Sequence, residues 1–168
     1  KIIEKLKLVK DKEVLKQELD LIPTDLQSHP GICSIRNTHF IKETSSGKDL
    51  VIFCGFTEET WTPRTAIEKG IGGSEEAVIH LSAQLAKLGW NVTVYNSCGH
   101  IEQKFGDVTF KPWWTWNYRD KQDVTILWRH PRTCDYGINC DKIYVDLHDT
   151  VPPGEFNESR LSKISKIF

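Results

Sequence analysis

Leu50-Val51-Ile52-Phe53-Cys54, Gly70-Ile71-Gly72-Gly73-Ser74 and Asn91-Val92-Thr93-Val94-Tyr95 decide the fold. The first is an unbroken apolar run, the pattern of a strand buried on both faces. A long loop through Trp61, Pro63 and Arg64 follows it. The glycine stretch then opens a helix. Ser74 is placed to cap it, and Glu75 and Glu76 sit in the first turn, where the helix dipole favours acids. Ala77, Val78, Leu81, Leu85 and Leu88 recur at helical spacing, and Gly89 closes the helix. The run at 91–95 is the next strand. Val108-Thr109-Phe110 opens a third, running extended into Pro112-Trp113-Trp114-Thr115-Trp116. Residues 124–128 and 143–147 supply two more. After Pro152-Pro153-Gly154 comes a short helical stretch with Leu161 and Ile164, and Ile167-Phe168 begins a last strand. Strands spaced in this way around a helix predict an α/β fold, a Rossmann-like doubly wound parallel sheet over residues 49–168.

Residues 1–48 follow a different grammar. Ile2, Leu6 and Val9, then Leu15, Leu19 and Ile22, repeat at helical spacing. Asp11 is placed to cap the second helix and Pro23 to end it, while Ser28 and Pro30 mark a further helix start carrying Ile32, Ile35 and Phe40. Thr44-Ser45-Ser46-Gly47-Lys48 reads as a linker. The expectation is a helical arm, of a kind that could end an upstream domain.

Composition excludes several classes. The chain has 168 residues, 39% of them hydrophobic and 27% charged, with a net charge of −1. A disordered tail, a collagen-like fibre and a disulfide miniprotein are ruled out. Bulk charge gives no argument for nucleic acid or an anionic membrane as a partner. No apolar run approaches the roughly 20 residues that cross a bilayer. Methionine is absent even at position 1, so the expectation is a piece of a longer chain. The five cysteines are scattered, with no pair at CxxC spacing, which predicts reduced thiols in a cytoplasmic protein and no metal site. Asn91-Val92-Thr93 and Asn157-Glu158-Ser159 fit the glycan acceptor pattern, but the first falls in a predicted buried strand, and both read as chance.

The glycine stretch has two readings: a tight turn that starts a helix, or a seat for phosphate, since helix N-terminal amides point at anions. It is not a P-loop, lacking the terminal Gly-Lys-Ser/Thr. It is not the dinucleotide fingerprint either. Glu75 stands where a third small residue is needed, and the second strand ends Tyr95-Asn96 without a ribose-binding acid. Glu75 and Glu76 would repel a phosphate, so the site needs offsetting cations, with Arg64, Lys69 and Arg129 as candidates. Ligands of open α/β sheets sit beyond the carboxyl ends of the strands. Arg129-His130 and His148-Asp149 fall at such ends, and Arg129 suits phosphate or carboxylate. Trp114, Trp116 and Tyr118 alternate, which on an extended segment puts three aromatics on one face. That face either stacks on a sugar or base or packs inside the protein.

The first strand, the Trp-Pro loop, Gly70-Ile71-Gly72-Gly73-Ser74-Glu75, the helix ending Leu88-Gly89, the strand at 91–95 and Asp146-Leu147-His148-Asp149 together resemble the N-terminal half of the retaining group 1 glycosyltransferases. The resemblance implies a GT-B architecture, two Rossmann-like domains facing across a cleft. The acceptor is then held by this half, and the nucleotide-sugar donor by a C-terminal half that this chain lacks. It implies that the backbone at Gly72, Gly73 and Ser74 approaches the donor diphosphate. It also implies that His148 contacts the transferred sugar and that Arg129 is the cation near the developing diphosphate charge. Arg64, Trp114, Trp116, His130 and Asp149 are further candidates for substrate contact. No cofactor beyond the nucleotide-sugar substrate is expected, and the absence of an Asp-x-Asp pair fits metal-independent transfer. The fragment alone is expected to be inactive. Two readings compete: a non-catalytic sugar- or nucleotide-binding module using the tryptophan face, and a nucleotide-sugar epimerase, whose Tyr-x-x-x-Lys pair is missing.

Overall fold

The computed structural model describes residues 1–152 and 154–168; Pro153, in the predicted break before the last helix, lies outside the described residues. The parallel strands are β1 (Asp49–Phe53), β2 (Asn91–Asn96), β4 (Val108–Pro112), β5 (Gln122–Trp128), β6 (Cys140–Asp146) and β7 (Ile164–Ile167), and β3 (Gln103–Phe105) runs antiparallel on the edge of β4. The spatial order is β3-β4-β2-β1-β5-β6-β7. Counted among the parallel strands alone, this is the 3-2-1-4-5-6 order of doubly wound nucleotide-binding sheets, compatible with a Rossmann-like fold. β3 was not expected. It forms because Gly106, at φ 59°, turns the chain back tightly between Phe105 and Val108.

The two faces of the sheet are covered differently. α5 (Gly73–Lys87) lies on one face, where Leu50, Ile52, Val92, Val94, Phe110, Ile126 and Trp128 meet Val78 and Trp61. Helices were expected on both faces. The second face, built on Val51, Leu127, Ile143 and Val145, is instead closed by 3-10 turns at Trp113–Thr115 and Pro131–Tyr136 and by Trp116, Cys134 and Phe156. The connections there are short, and Pro131 and Gly137 interrupt one of them, which leaves no room for a full crossover helix.

The buried stripe of α5 is also rotated from the sequence reading. Val78 and Ser82 are buried, with Ile79, Leu85 and Ala86 beside them, whereas Leu81 and Leu88 are exposed. Ser82 is tolerated inside because its hydroxyl donates to the Ile79 carbonyl. Gly89, at φ 88°, ends the helix as expected: its N–H bonds the Ala86 carbonyl, and that of Trp90 the Leu85 carbonyl. A helix missed by the sequence reading, α4 (Pro63–Lys69), fills the predicted loop. Thr62 and Thr65 cap each other and Pro63 occupies its first turn.

Three helices precede the sheet: α1 (Ile2–Leu6), α2 (Lys12–Asp20) and α3 (Pro30–His39). They share a core of Leu6, Leu15, Leu19, Ile32 and Ile35. Asp11 caps α2 as expected, while His29 rather than Ser28 caps α3, its Nδ1 accepting the Gly31 N–H. Polar ties join this unit to the sheet. The Asn117 amide donates to the Phe40 carbonyl, and the Lys42 N–H to Asp120. At the last turn, α6 (Glu158–Leu161) is shorter than predicted, and Ile164 already belongs to β7. Asn91 is exposed at the start of β2, not buried, and its amide donates to Ser46 and Asp49.

Candidate active site

The sheet reverses its direction of winding between β1 and β5. β1 runs into Cys54 and Gly55, β5 into Arg129 and His130, and β6 into Leu147, His148 and Asp149. The N-terminus of α5 opens above the same crevice. Loops leave adjacent strands in opposite directions there, which is why ligands of open α/β sheets collect at such a point.

Arg129 is the centre of the site. It is the one non-glycine residue with positive φ, 66°, among the described residues. For an L-residue this backbone costs on the order of 1 kcal/mol. The conformation keeps its N–H on the Asp146 carbonyl at 2.9 Å while turning the side chain back over the sheet. The guanidinium carbon lies 4.1 Å from the centre of the Trp128 ring, a cation–π contact. Nη2 donates to Ser74 Oγ at 2.7 Å, and Nη1 is 3.5 Å from Glu75 Oε1. Nε lies 2.8 Å from Asp149 Oδ2, but off the N–H direction, so this buried group has charge contact without an aligned hydrogen bond.

Of the three cations expected to offset the acidic helix start, Arg129 is the one that meets Glu75. Arg64 stands exposed on α4 beside Ile67 and Phe105, and Lys69 ends that helix in solvent. Ser74 does not cap α5. Gly72 holds the N-cap position without a side chain, and Ser74 Oγ instead donates to Glu75 Oε2 while accepting from Arg129.

The glycines differ in what they require. Gly70 needs its freedom, at φ 73°. A side chain at Gly72 would run into the Glu75 carboxylate. Glu75 thus folds back over the glycine stretch. At Gly73 a Cβ meets nothing within 4 Å, and its φ lies outside the left-handed range. Neither packing nor backbone geometry asks for glycine there.

His148 pairs with Asp146, Nε2 to Oδ2 at 3.1 Å, and its ring stands 6.0 Å from that of Trp128. The carboxylate orients the imidazole and favours a proton on Nε2. Cys54, wholly buried at the end of β1, is held as the thiol, since burial and the charges of Glu75 and Asp146 push it well up against the opposing pull of Arg129. Beside this cluster a cavity of about 370 Å³ opens between Arg129, His130, Arg132, Leu147, Asp149 and Glu155. His130 is exposed and lies against Gly55.

The tryptophan run departs from the expected extended face. Residues 113–115 wind into a 3-10 turn, so 114, 116 and 118 do not share a side. Trp116 is buried, stacked on Phe53 at 4.2 Å and packed against Tyr95, so it belongs to the core and not to an exposed face. Trp114 is half-buried beside His100. The sequence reading missed Asp146 as the partner of His148, and Trp128 as the platform under Arg129. The alternation Asp146-x-His148 was the available signal for the first. The second shows only in the fold, because the turn after β5 folds the guanidinium back onto the preceding ring. Among the described residues no group of three acidic, histidine or cysteine side chains is placed to hold a metal ion, and no helix is long and apolar enough to cross a membrane. All five cysteines are free thiols.

No protein-family model matches the chain, and neither does any curated protein or solved structure.

Proposed function

We propose that this chain is the acceptor-side domain of a retaining, metal-independent glycosyltransferase, which moves a sugar from a nucleotide-sugar donor to an acceptor hydroxyl. The observation that carries the reading is Gly73. It is a glycine at a helix N-terminus that the fold does not need, with open space where its side chain would be, beside an arginine anchored on the next residue. A close-approaching anion accounts for both.

In this reading the donor diphosphate lies against the Gly72–Gly73 backbone. Glu75 swings off Gly72 and Arg129 exchanges its carboxylate for phosphate. The departing nucleoside diphosphate gains negative charge as the glycosidic bond breaks, and a fixed cation with helix-end dipoles stabilises it. His148, held by Asp146 through Nε2–H, is left with Nδ1 free to accept a hydrogen bond from a hydroxyl of the transferred sugar.

The test is release of nucleoside diphosphate by the full-length gene product from UDP-, GDP-, ADP- and dTDP-linked sugars, with the anomeric configuration of the product read by proton NMR. Turnover with retention is expected. Gly73→Val, which has room in the fold, should abolish it while leaving the circular dichroism unchanged. Turnover unaffected by that substitution, or inversion at the anomeric carbon, overturns the reading.

A further inference from the structure

At the carboxyl end of the sheet, on the β1–β2–β4 side, a row of aromatic rings reaches the surface. His130 lies against Gly55, and the next residue, Phe56, is 65% exposed. Phe56 meets Trp113 edge-on at 6.2 Å. Trp113 stands at 89° to Trp114, with centroids 5.8 Å apart, and His100 lies 5.8 Å beyond. The row therefore runs by contact from the Arg129–His130 turn to the loop after β2.

The loops that carry these rings are tied down. The Thr115 hydroxyl closes the turn on the Pro112 carbonyl at 2.7 Å, and the Cys33 thiol of α3 reaches the Trp114 carbonyl at 3.5 Å. Trp116 anchors the far end of the turn in the core. Under Phe56, the Thr57 N–H donates to Ser97 Oγ, and that hydroxyl donates back to the Thr57 carbonyl. Phe56 is exposed and Trp113 and Trp114 are half-buried on loops fixed in this way, so little loop ordering is lost on meeting a ligand.

We infer that Phe56, Trp113 and Trp114 form a shelf for a neutral sugar ring, the acceptor glycan; the inference rests on the transferase reading and names its acceptor as a carbohydrate. Two indoles at right angles make a corner that offers one π face and one edge. The apolar C–H face of a pyranose complements the electron-rich ring face. The charges nearby choose among ligands. Glu58 and Glu59 are exposed just beyond Phe56, and Lys111 is already paired with Glu102 at 2.9 Å. Stacking on nucleic acid calls for a basic groove to follow the phosphates, and this rim is acidic. Carboxylates beside an aromatic face suit a hydroxyl-bearing, uncharged ring, whose O–H groups they accept.

The test applies labelled protein to a glycan array, alongside single-stranded RNA. Binding to a defined set of neutral glycans is expected, reduced about tenfold or more by Trp113→Ala and by Phe56→Ala, and largely kept by Trp113→Phe, with circular dichroism confirming the fold of each. Arg129→Ala should leave glycan binding intact while stopping nucleoside diphosphate release. Conversely, Trp113→Ala should lose transfer to glycan and keep release to water. No glycan bound, glycan binding indifferent to both shelf substitutions, or binding of RNA in preference to glycan overturns the shelf. Nucleoside diphosphate release that fails while the shelf still binds glycan removes the transferase reading and leaves a carbohydrate-binding site.

Discussion

Arg129 reaches from the end of β5 to Ser74 at the start of α5, Nη2 to Oγ at 2.7 Å, across 55 positions of sequence. It does so from a left-handed backbone that an L-residue adopts at a cost. The guanidinium and the backbone strain are therefore separable. Arg129→Gly removes the side chain and relieves the strain, whereas Arg129→Ala removes the side chain and keeps the strain. The glycine variant should be the more stable of the two by about 1 kcal/mol, read from urea midpoints. Equal midpoints would mean that φ 66° carries no strain worth measuring.

The carboxylate of Glu75 lies where the proposed diphosphate would, folded over Gly72 and 3.5 Å from Arg129. Removing its charge while keeping its shape removes a competitor for the arginine. Glu75→Gln should raise the affinity of the protein for inorganic pyrophosphate by roughly 3–10-fold, in titration calorimetry at low salt, with the gain shrinking as salt is raised. Unchanged or weaker binding would show that Glu75 is part of the ligand seat and not its occupant.

The parallel strands were legible because β1 holds an unbroken apolar run and the others carry short runs rich in β-branched and aromatic residues, and Gly89 and Asp11 were legible because they act through local chemistry alone. What the sequence concealed depended on contacts far along the chain. Leu81 and Leu88 fit a helical stripe as well as Ile79 and Ala86 do, and only the side on which the sheet lies decides between them. Alternating tryptophans read as one face of a strand, but Pro112 and the Thr115 hydroxyl set a turn that period-two counting cannot see. At the site, residue types at strand ends singled out Arg129 and His148, which the fold places at the carboxyl ends of adjacent strands β5 and β6. Which of three candidate cations meets Glu75, and that Asp146 holds His148, depended on the fold, since each pair is set by where the strands end.

Acid sensitivity is expected at the start of β1. Burial works to raise the carboxyl of Asp49, but hydrogen bonds from Lys42 Nζ, the Ser46 hydroxyl, the Asn91 amide and the Ser46 N–H overcome it and hold the group well below the usual carboxylate range. The unfolded chain, with an ordinary carboxyl near pH 4, then takes up its proton first as pH falls. The stabilisation is complete above about pH 5 and drains away as pH drops through the unfolded value toward the folded one. Asp49→Asn should cost about 1–3 kcal/mol at pH 7, with the gap to the unsubstituted protein closing below about pH 3. A gap constant from pH 7 to pH 3 would exclude this carboxylate as the source.

Gly70 and Gly73 sit three residues apart and should respond oppositely. Gly70→Ala forces a Cβ into φ 73° and should destabilise by about 1 kcal/mol or somewhat more. Gly73→Ala adds a better helix former with nothing within 4 Å of its Cβ, and should be neutral or stabilising by up to about 1 kcal/mol. Thermal melts of the two variants decide it. A destabilised Gly73→Ala would return that glycine to a structural role and withdraw the observation on which the phosphate seat rests.

Trp116 and Trp113 stand three residues apart in the same tryptophan-rich run, yet the fold gives them separate work. Trp116 is 5% exposed and stacked on Phe53, so Trp116→Ala opens a cavity in the second face of the sheet. Its cost should be about 3–5 kcal/mol, enough to threaten folding. Trp113 is half-buried on the rim between Phe56 and Trp114, and Trp113→Ala should cost clearly less, about 1–2 kcal/mol. Urea denaturation of both separates core from shelf: a Trp113→Ala variant as unstable as Trp116→Ala would make the half-buried corner a packing element, and its aromatics would need no ligand to explain them.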